Sequence, residues 1–237
     1  MTETYRIEVA PSETVTAIAY PAAPRQRLGA CLVLAHGAGA NQTSGFMVQF
    51  AGALAARGVD ALTFNFLYTE NKRRLPDPPA RLEACYRAVV RAFHEGAFGK
   101  SLGRDKLVIG GKSMGGRIAS QIAAAHVEGI AGLVFLGYPL HPPGQPEKRR
   151  DKHLPAIAVP MLFVQGARDA FGTPEELRPV LKRLQAPAEL CVVEDGDHSF
   201  KVPKRSGRSQ DEVYDFVLGE IGRWLQANLL GGRPSAP

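Results

Sequence analysis

Two kinds of hydrophobic pattern run along this chain. Residues 5–9 and 15–20 are short β-like runs separated by Pro11, Ser12 and Glu13, which predicts an opening hairpin. Farther on, continuous apolar runs take turns with runs at helical spacing. Residues 31–34, 59–66, 106–110, 130–136, 159–164 and 189–193 read as buried strands. Between the first two of these, Met47, Phe50, Ala51 and Leu54 share one helical face that ends at Gly58. Leu82, Tyr86, Val89 and Phe93 form a second such stripe after Pro78-Pro79, and a third helix is expected from Met114 to about His126.

Two later helices announce themselves by their starts. Thr173-Pro174-Glu175-Glu176 and the segment from Ser209 to Glu212 both place Glu three residues after Thr or Ser, the spacing of a reciprocal cap. In the first, Pro174 takes the first helical position. Pro179 is expected to kink or delay that helix, because proline has no N–H and its ring crowds the preceding turn. In the second, Val213, Phe216, Val217, Ile221, Trp224 and Leu225 are expected to face the core.

This alternation predicts an α/β fold, a mostly parallel sheet of about eight strands flanked by helices. Ligands of such sheets bind beyond the carboxyl ends of the strands, so each reactive residue should come directly after a strand. With 237 residues, 45% of them apolar and 22% charged, and no polar linker, residues 1–230 read as one domain. Residues 231–237 read as a flexible tail.

The net charge of +6 changes this picture little. Its densest basic stretches are Lys72-Arg73-Arg74, Lys148-Arg149-Arg150 and the segment from Lys201 to Arg208. Proline, glycine or acidic residues interrupt them, and no interleaved aromatics are present to stack bases. No nucleic-acid partner is expected. Cys31, Cys85 and Cys191 lie in apolar or periodic runs, as small buried hydrophobes do. No apolar run reaches membrane-spanning length, and the first residues lack a basic segment followed by an apolar one. A cytoplasmic protein without a membrane partner is the expectation.

The chemistry concentrates at Gly110-Gly111-Lys112-Ser113-Met114-Gly115-Gly116-Arg117. A phosphate-binding P-loop would need glycine at position 106, where the chain has Lys106. The segment instead fits Gly-x-Ser-x-Gly, a strand-to-helix turn that lifts the Ser113 hydroxyl above the sheet. A serine nucleophile needs a base, and the base needs a group that orients it. His94 and His126 lie on or at the end of helices, His141 and His153 bracket a basic loop, and His36 precedes a glycine loop where a structural role fits better. His198 follows the last strand and is the candidate base. Asp169 follows the strand before it and is the candidate acid; Asp195 and Asp197 are its rivals, too near His198 in sequence to reach its far ring nitrogen. An oxyanion hole is expected from the N–H groups of Met114 and, by position in the loop from His36 to Ala40, Ala38. That loop falls short of a dinucleotide fingerprint, with Gln42 where the third glycine belongs.

With these pieces in place the chain resembles the α/β-hydrolase superfamily over nearly its full length. The matching segments are His36-Gly37-Ala38-Gly39, the serine elbow, Gln165-Gly166-Ala167-Arg168-Asp169 and Gly196-Asp197-His198-Ser199. The elbow and Phe171-Gly172-Thr173-Pro174-Glu175-Glu176 look like the small, uncapped branch of dienelactone-hydrolase-like proteins and proteins similar to testis-expressed protein 30. Ser113 departs from the cysteine of dienelactone hydrolases proper, so their substrate does not carry over. The resemblance implies an α/β-hydrolase fold and a serine hydrolase acting on a carboxylic ester or thioester, with Ser113, His198 and Asp169 as its triad. It implies no metal or organic cofactor. The short segment between Leu136 and Val159 leaves no room for a large lid, so an open site for small or accessible acyl groups is expected. Lys112 and Arg117 are placed to attract an anionic substrate group. The alternative is a binding or scaffold protein that keeps the fold without the chemistry. The oligomeric state is left open.

Overall fold

A computed structural model describes residues 1–103 and 106–231. β1 (Glu3–Ala10) and β2 (Glu13–Tyr20) form the expected hairpin, turning through Ser12 with a left-handed backbone (φ 66°). Six strands follow: β3 (Ala30–Ala35), β4 (Asp60–Phe64), β5 (Lys106–Lys112), β6 (Ile130–Leu136), β7 (Met161–Gly166) and β8 (Ala188–Val193). All eight join one sheet in the order β1-β2-β4-β3-β5-β6-β7-β8. Pairing is antiparallel from β1 through β2 to β4 and parallel from β4 onward. Every residue of β3, β4 and β7 is buried, which is why their sequences run apolar without alternation.

The helices are α1 (Gly45–Ala56), α2 (Leu67–Glu70), α3 (Pro79–Glu95), α4 (Met114–Ala124), α5 (Pro174–Leu181) and α6 (Gln210–Asn228). They cover both faces of the sheet. On one face Leu82, Tyr86 and Val89 of α3 and Ile118 of α4 pack over Ile109, Phe135 and Phe163. On the other, Met47, Phe50 and Leu54 of α1 and Val213, Ile221 and Trp224 of α6 pack over Leu34, Val134 and Leu162. The Tyr86 hydroxyl reaches between β3 and β5. It lies 2.9 Å from the Val33 carbonyl and 2.7 Å from that of Gly110, and accepts from the Gly110 N–H at 3.0 Å. This buried stitch fixes β5 two residues before the elbow's Lys112.

Two helical expectations need correction. Phe216 is 39% exposed, beside the Arg208 guanidinium, because Tyr214 and Leu218 fill the core face of α6 instead. Pro179 neither delays nor stops α5, which runs through it to Leu181. The Thr173 and Glu176 cap is formed in both directions, and Leu177 and Val180 are buried, which offsets the one N–H that proline lacks. The strand expected at 59–66 ends at Phe64, and the chain then turns at once into the short α2. Of the expected tail, residues 232–237 lie outside the described residues. Among those described, no helix is long and apolar enough to cross a membrane.

Candidate active site

Ser113 sits where β5 hands over to α4, with φ 51° and ψ −116°. This is a costly backbone for a residue with a Cβ, and it persists only where the surroundings impose it. The surroundings do so through close approach. A Cβ on Gly111 or on Gly115 would lie 2.2 Å from the carbonyl oxygen of Ala35 at the end of β3. Glycine at both positions therefore lets the elbow press against the neighbouring strand.

His198, in the turn after β8, brings Nε2 to 2.8 Å from Ser113 Oγ and Nδ1 to 2.7 Å from Asp169 Oδ2. An ionised carboxylate only accepts, so Nδ1 carries the proton and donates to Asp169, leaving Nε2 to accept from the serine hydroxyl. The imidazole stacks on Phe171, with ring centres 4.2 Å apart. Asp169 is buried, and its other oxygen accepts from the Phe171 N–H at 2.8 Å. Of the rivals, Asp197 is engaged elsewhere: its Oδ1 accepts from the N–H groups of Ser199 and Lys201. Two other histidines are also engaged elsewhere. His153 Nε2 lies 2.7 Å from Ser120 Oγ, and His141 Nε2 lies 3.1 Å from Glu176 Oε1.

Gln165, at the end of β7, organises the acid. Its Nε2 donates to Asp169 Oδ2 at 2.8 Å and to the Gly172 carbonyl at 2.7 Å, while its Oε1 accepts from the Tyr138 N–H at 2.8 Å. One buried amide thus ties the loops after β6 and β7 to the Asp169 carboxylate. Gln165 belongs to the segment that pointed to Asp169, but its residue type announced no chemistry in advance.

The loop after β3 passes in front of the serine. Among the described residues neither the Ala38 N–H nor the Met114 N–H has a hydrogen-bond acceptor, and both residues line the pocket with Ser113. Behind them His36 is fully buried. Its Nδ1 donates to the Gly37 carbonyl at 2.9 Å, and its Nε2 accepts from the Phe66 N–H at 3.3 Å. Burial pushes its pKa down to about 4, so this histidine is a neutral strut under the loop.

The pocket has a volume of about 730 Å³, and its wall includes Phe46, Leu82, Met114, Phe171 and the basic Arg117 and Arg150. Between β6 and β7 the described residues hold one short helical turn, Leu154–Ala156, and no lid. Arg117 lines this pocket. Lys112 does not reach out as a free cation: it is buried, its ammonium donates to the His198 carbonyl at 2.5 Å, and burial pushes its pKa down to about 8. Among the described residues no group of His, Cys, Asp or Glu side chains is arranged to hold a metal ion.

Solved structures share this architecture. A dienelactone hydrolase from Anabaena variabilis is 19% identical, with a TM-score of 0.72 over 96% of this chain and 99% of that one. An alpha-beta serine hydrolase homologue from Coxiella burnetii is 19% identical, with a TM-score of 0.68 over 96% and 97%. A serine hydrolase from Xanthomonas campestris described as lacking a lid is 18% identical, with a TM-score of 0.66 over 100% and 97%. At such identities the likeness is one of fold. The sequence itself matches the alpha/beta hydrolase domain over residues 29–226, and with the strand order and serine elbow described above, the chain belongs to that family.

Proposed function

We propose that the chain is a serine hydrolase that cleaves a carboxylic ester or thioester of a small or accessible acyl group. The observation that carries this reading is the unbroken hydrogen-bonded relay from Ser113 through His198 to Asp169, at 2.8 and 2.7 Å, opening on a pocket with two unengaged N–H groups. Ser113 Oγ attacks the carbonyl carbon while His198 Nε2 takes its proton. Asp169 holds the imidazole in the required tautomer and stabilises the imidazolium without itself accepting the proton. The N–H groups of Ala38 and Met114 face the oxyanion of the tetrahedral intermediate; one such donor is typically worth about 2.7–4 kcal/mol in the transition state. His198 then protonates the leaving group, and the same residue activates the water that releases the acyl group from Ser113.

Labelling with a fluorophosphonate probe tests this reading. The unaltered chain should label, while Ser113→Ala and His198→Ala should not. A folded protein that stays unlabelled would instead favour a non-catalytic binding protein.

A further inference from the structure

The pocket wall carries more positive charge than the protein neutralises. Among the described residues Lys112, Arg117, Arg150 and Lys201 line it, against a single carboxylate, Asp77, whose Oδ1 Arg73 holds at 2.6 Å. Lys112 is committed to the His198 carbonyl. Neither Arg117 nor Arg150 takes part in an ion pair among the described residues, and Asp151, next to Arg150 in the chain, is shared by Arg149 at 2.9 Å and Arg183 at 3.3 Å. Arg117 Nε is buried without a partner, and its Nη1 makes only a long contact of 3.4 Å to Gln121.

Two guanidiniums on one wall, one holding a buried donor without an acceptor, are expensive for the protein alone. Burial first, and the charge of Arg150 second, disfavour the charged form of Arg117. A guanidinium nevertheless stays charged; Tyr138 and Glu83 offset part of the cost, and an anion brought in from outside would relieve more of it. Arg117 follows Ser113 by four residues, about one turn of α4, so its Cα stands about 6 Å along the helix from the serine. The rest of the wall is largely apolar, including Phe46, Pro79, Leu82 and Pro139.

We propose that Arg117 and Arg150 form a carboxylate subsite, so that the substrate is an ester or thioester bearing a free carboxylate a few carbons from the scissile carbonyl. The planar forks of the two arginines suit a carboxylate, which each can bind through paired N–H donors. The inference deepens the hydrolase reading and rests on it for the reaction, but not for binding.

The test separates the two. In a Ser113→Ala background, which removes turnover, isothermal titration calorimetry compares monomethyl glutarate with dimethyl glutarate. The half-ester should bind at least about tenfold more tightly, and this preference should vanish when Arg117→Gln or Arg150→Gln is added. Arg149→Gln, outside the pocket, should leave it intact. Equal binding of the two esters, or no binding of either, overturns the subsite even if an arginine variant fails to fold, because that comparison needs only the parent background. Fluorophosphonate labelling without charge preference would sink the subsite and keep the hydrolase. Charge preference without labelling would do the reverse.

Discussion

The Lys112 ammonium, at the end of the strand that leads into Ser113, donates to the backbone carbonyl of His198 at 2.5 Å. The strand of the serine and the loop of the histidine are thereby clamped beneath the relay that joins their side chains. Lys112→Met keeps much of the side-chain volume and removes the clamp. It should slow fluorophosphonate labelling by about tenfold, roughly the worth of one charge-assisted hydrogen bond.

The same residue gives a pH signature. Its pKa of about 8 in the folded chain lies below the roughly 10.4 of an unfolded lysine, so between those values the unfolded state binds more protons. Burying the charge costs stability in full below pH 8, and that cost fades as pH rises through the window. Urea unfolding at pH 7.5 and 9.5 should therefore show the parent gaining stability relative to Lys112→Met. A constant difference between the two would contradict a buried charge.

Asp169→Asn replaces the acceptor of the His198 Nδ1–H with a group that can donate, which favours the wrong tautomer. Ester turnover should fall by about 10⁴-fold with little change in fold. Gln165→Leu acts differently. It leaves the Tyr138 N–H and the Gly172 carbonyl without this partner, while Asp169 Oδ2 keeps only its bond from His198. At about 1–3 kcal/mol for each buried orphan, chemical denaturation should show a loss of about 2 kcal/mol or more, alongside reduced turnover.

Gly115→Ala and Gly219→Ala should move stability in opposite directions. At Gly115 the new Cβ would meet the Ala35 carbonyl oxygen at 2.2 Å, and the elbow must shift; about 1–3 kcal/mol and most of the labelling should be lost. At Gly219, exposed on α6, nothing lies within 4 Å, and alanine's better helix propensity should raise stability by about 0.5–1 kcal/mol. Thermal melts of both variants check the pair.

The elbow was legible because steric need leaves glycines at fixed spacing, and the strands were legible because burial on both faces leaves unbroken apolar runs. The candidate base and acid could be named because the topology puts sites after strand ends. What escaped were side chains whose role depends on where another loop arrives. Lys112 reads as a free cation for an anionic substrate group until the chain segment carrying His198 closes over it. Arg150 reads as part of a basic run, and only the path of the segment between β6 and β7 brings it to the pocket beside Arg117. Phe216 failed for a local reason, lying at the edge of a helical stripe whose centre other residues already filled.

Acid should act on this protein through His36 before it acts on any carboxylate network. In the folded chain burial holds the His36 pKa at about 4, against about 6.5 when unfolded. Between those values the unfolded state binds more protons, so stability is fully present above about pH 6.5 and is lost as pH falls toward 4. For this one group the loss by pH 5 comes to about 2 kcal/mol. His153, whose pKa burial also lowers to about 4, adds a loss of the same sign. Because Nδ1 already carries the proton it gives to the Gly37 carbonyl, acid protonates Nε2 and sets it against the Phe66 N–H that it accepts from, which should disturb the loop after β3 before the whole fold opens. Urea unfolding of the parent and of His36→Gln at pH 7 and pH 5 isolates the contribution. The parent should lose more stability than the variant, and equal losses would show that His36 titrates alike in the folded and unfolded states.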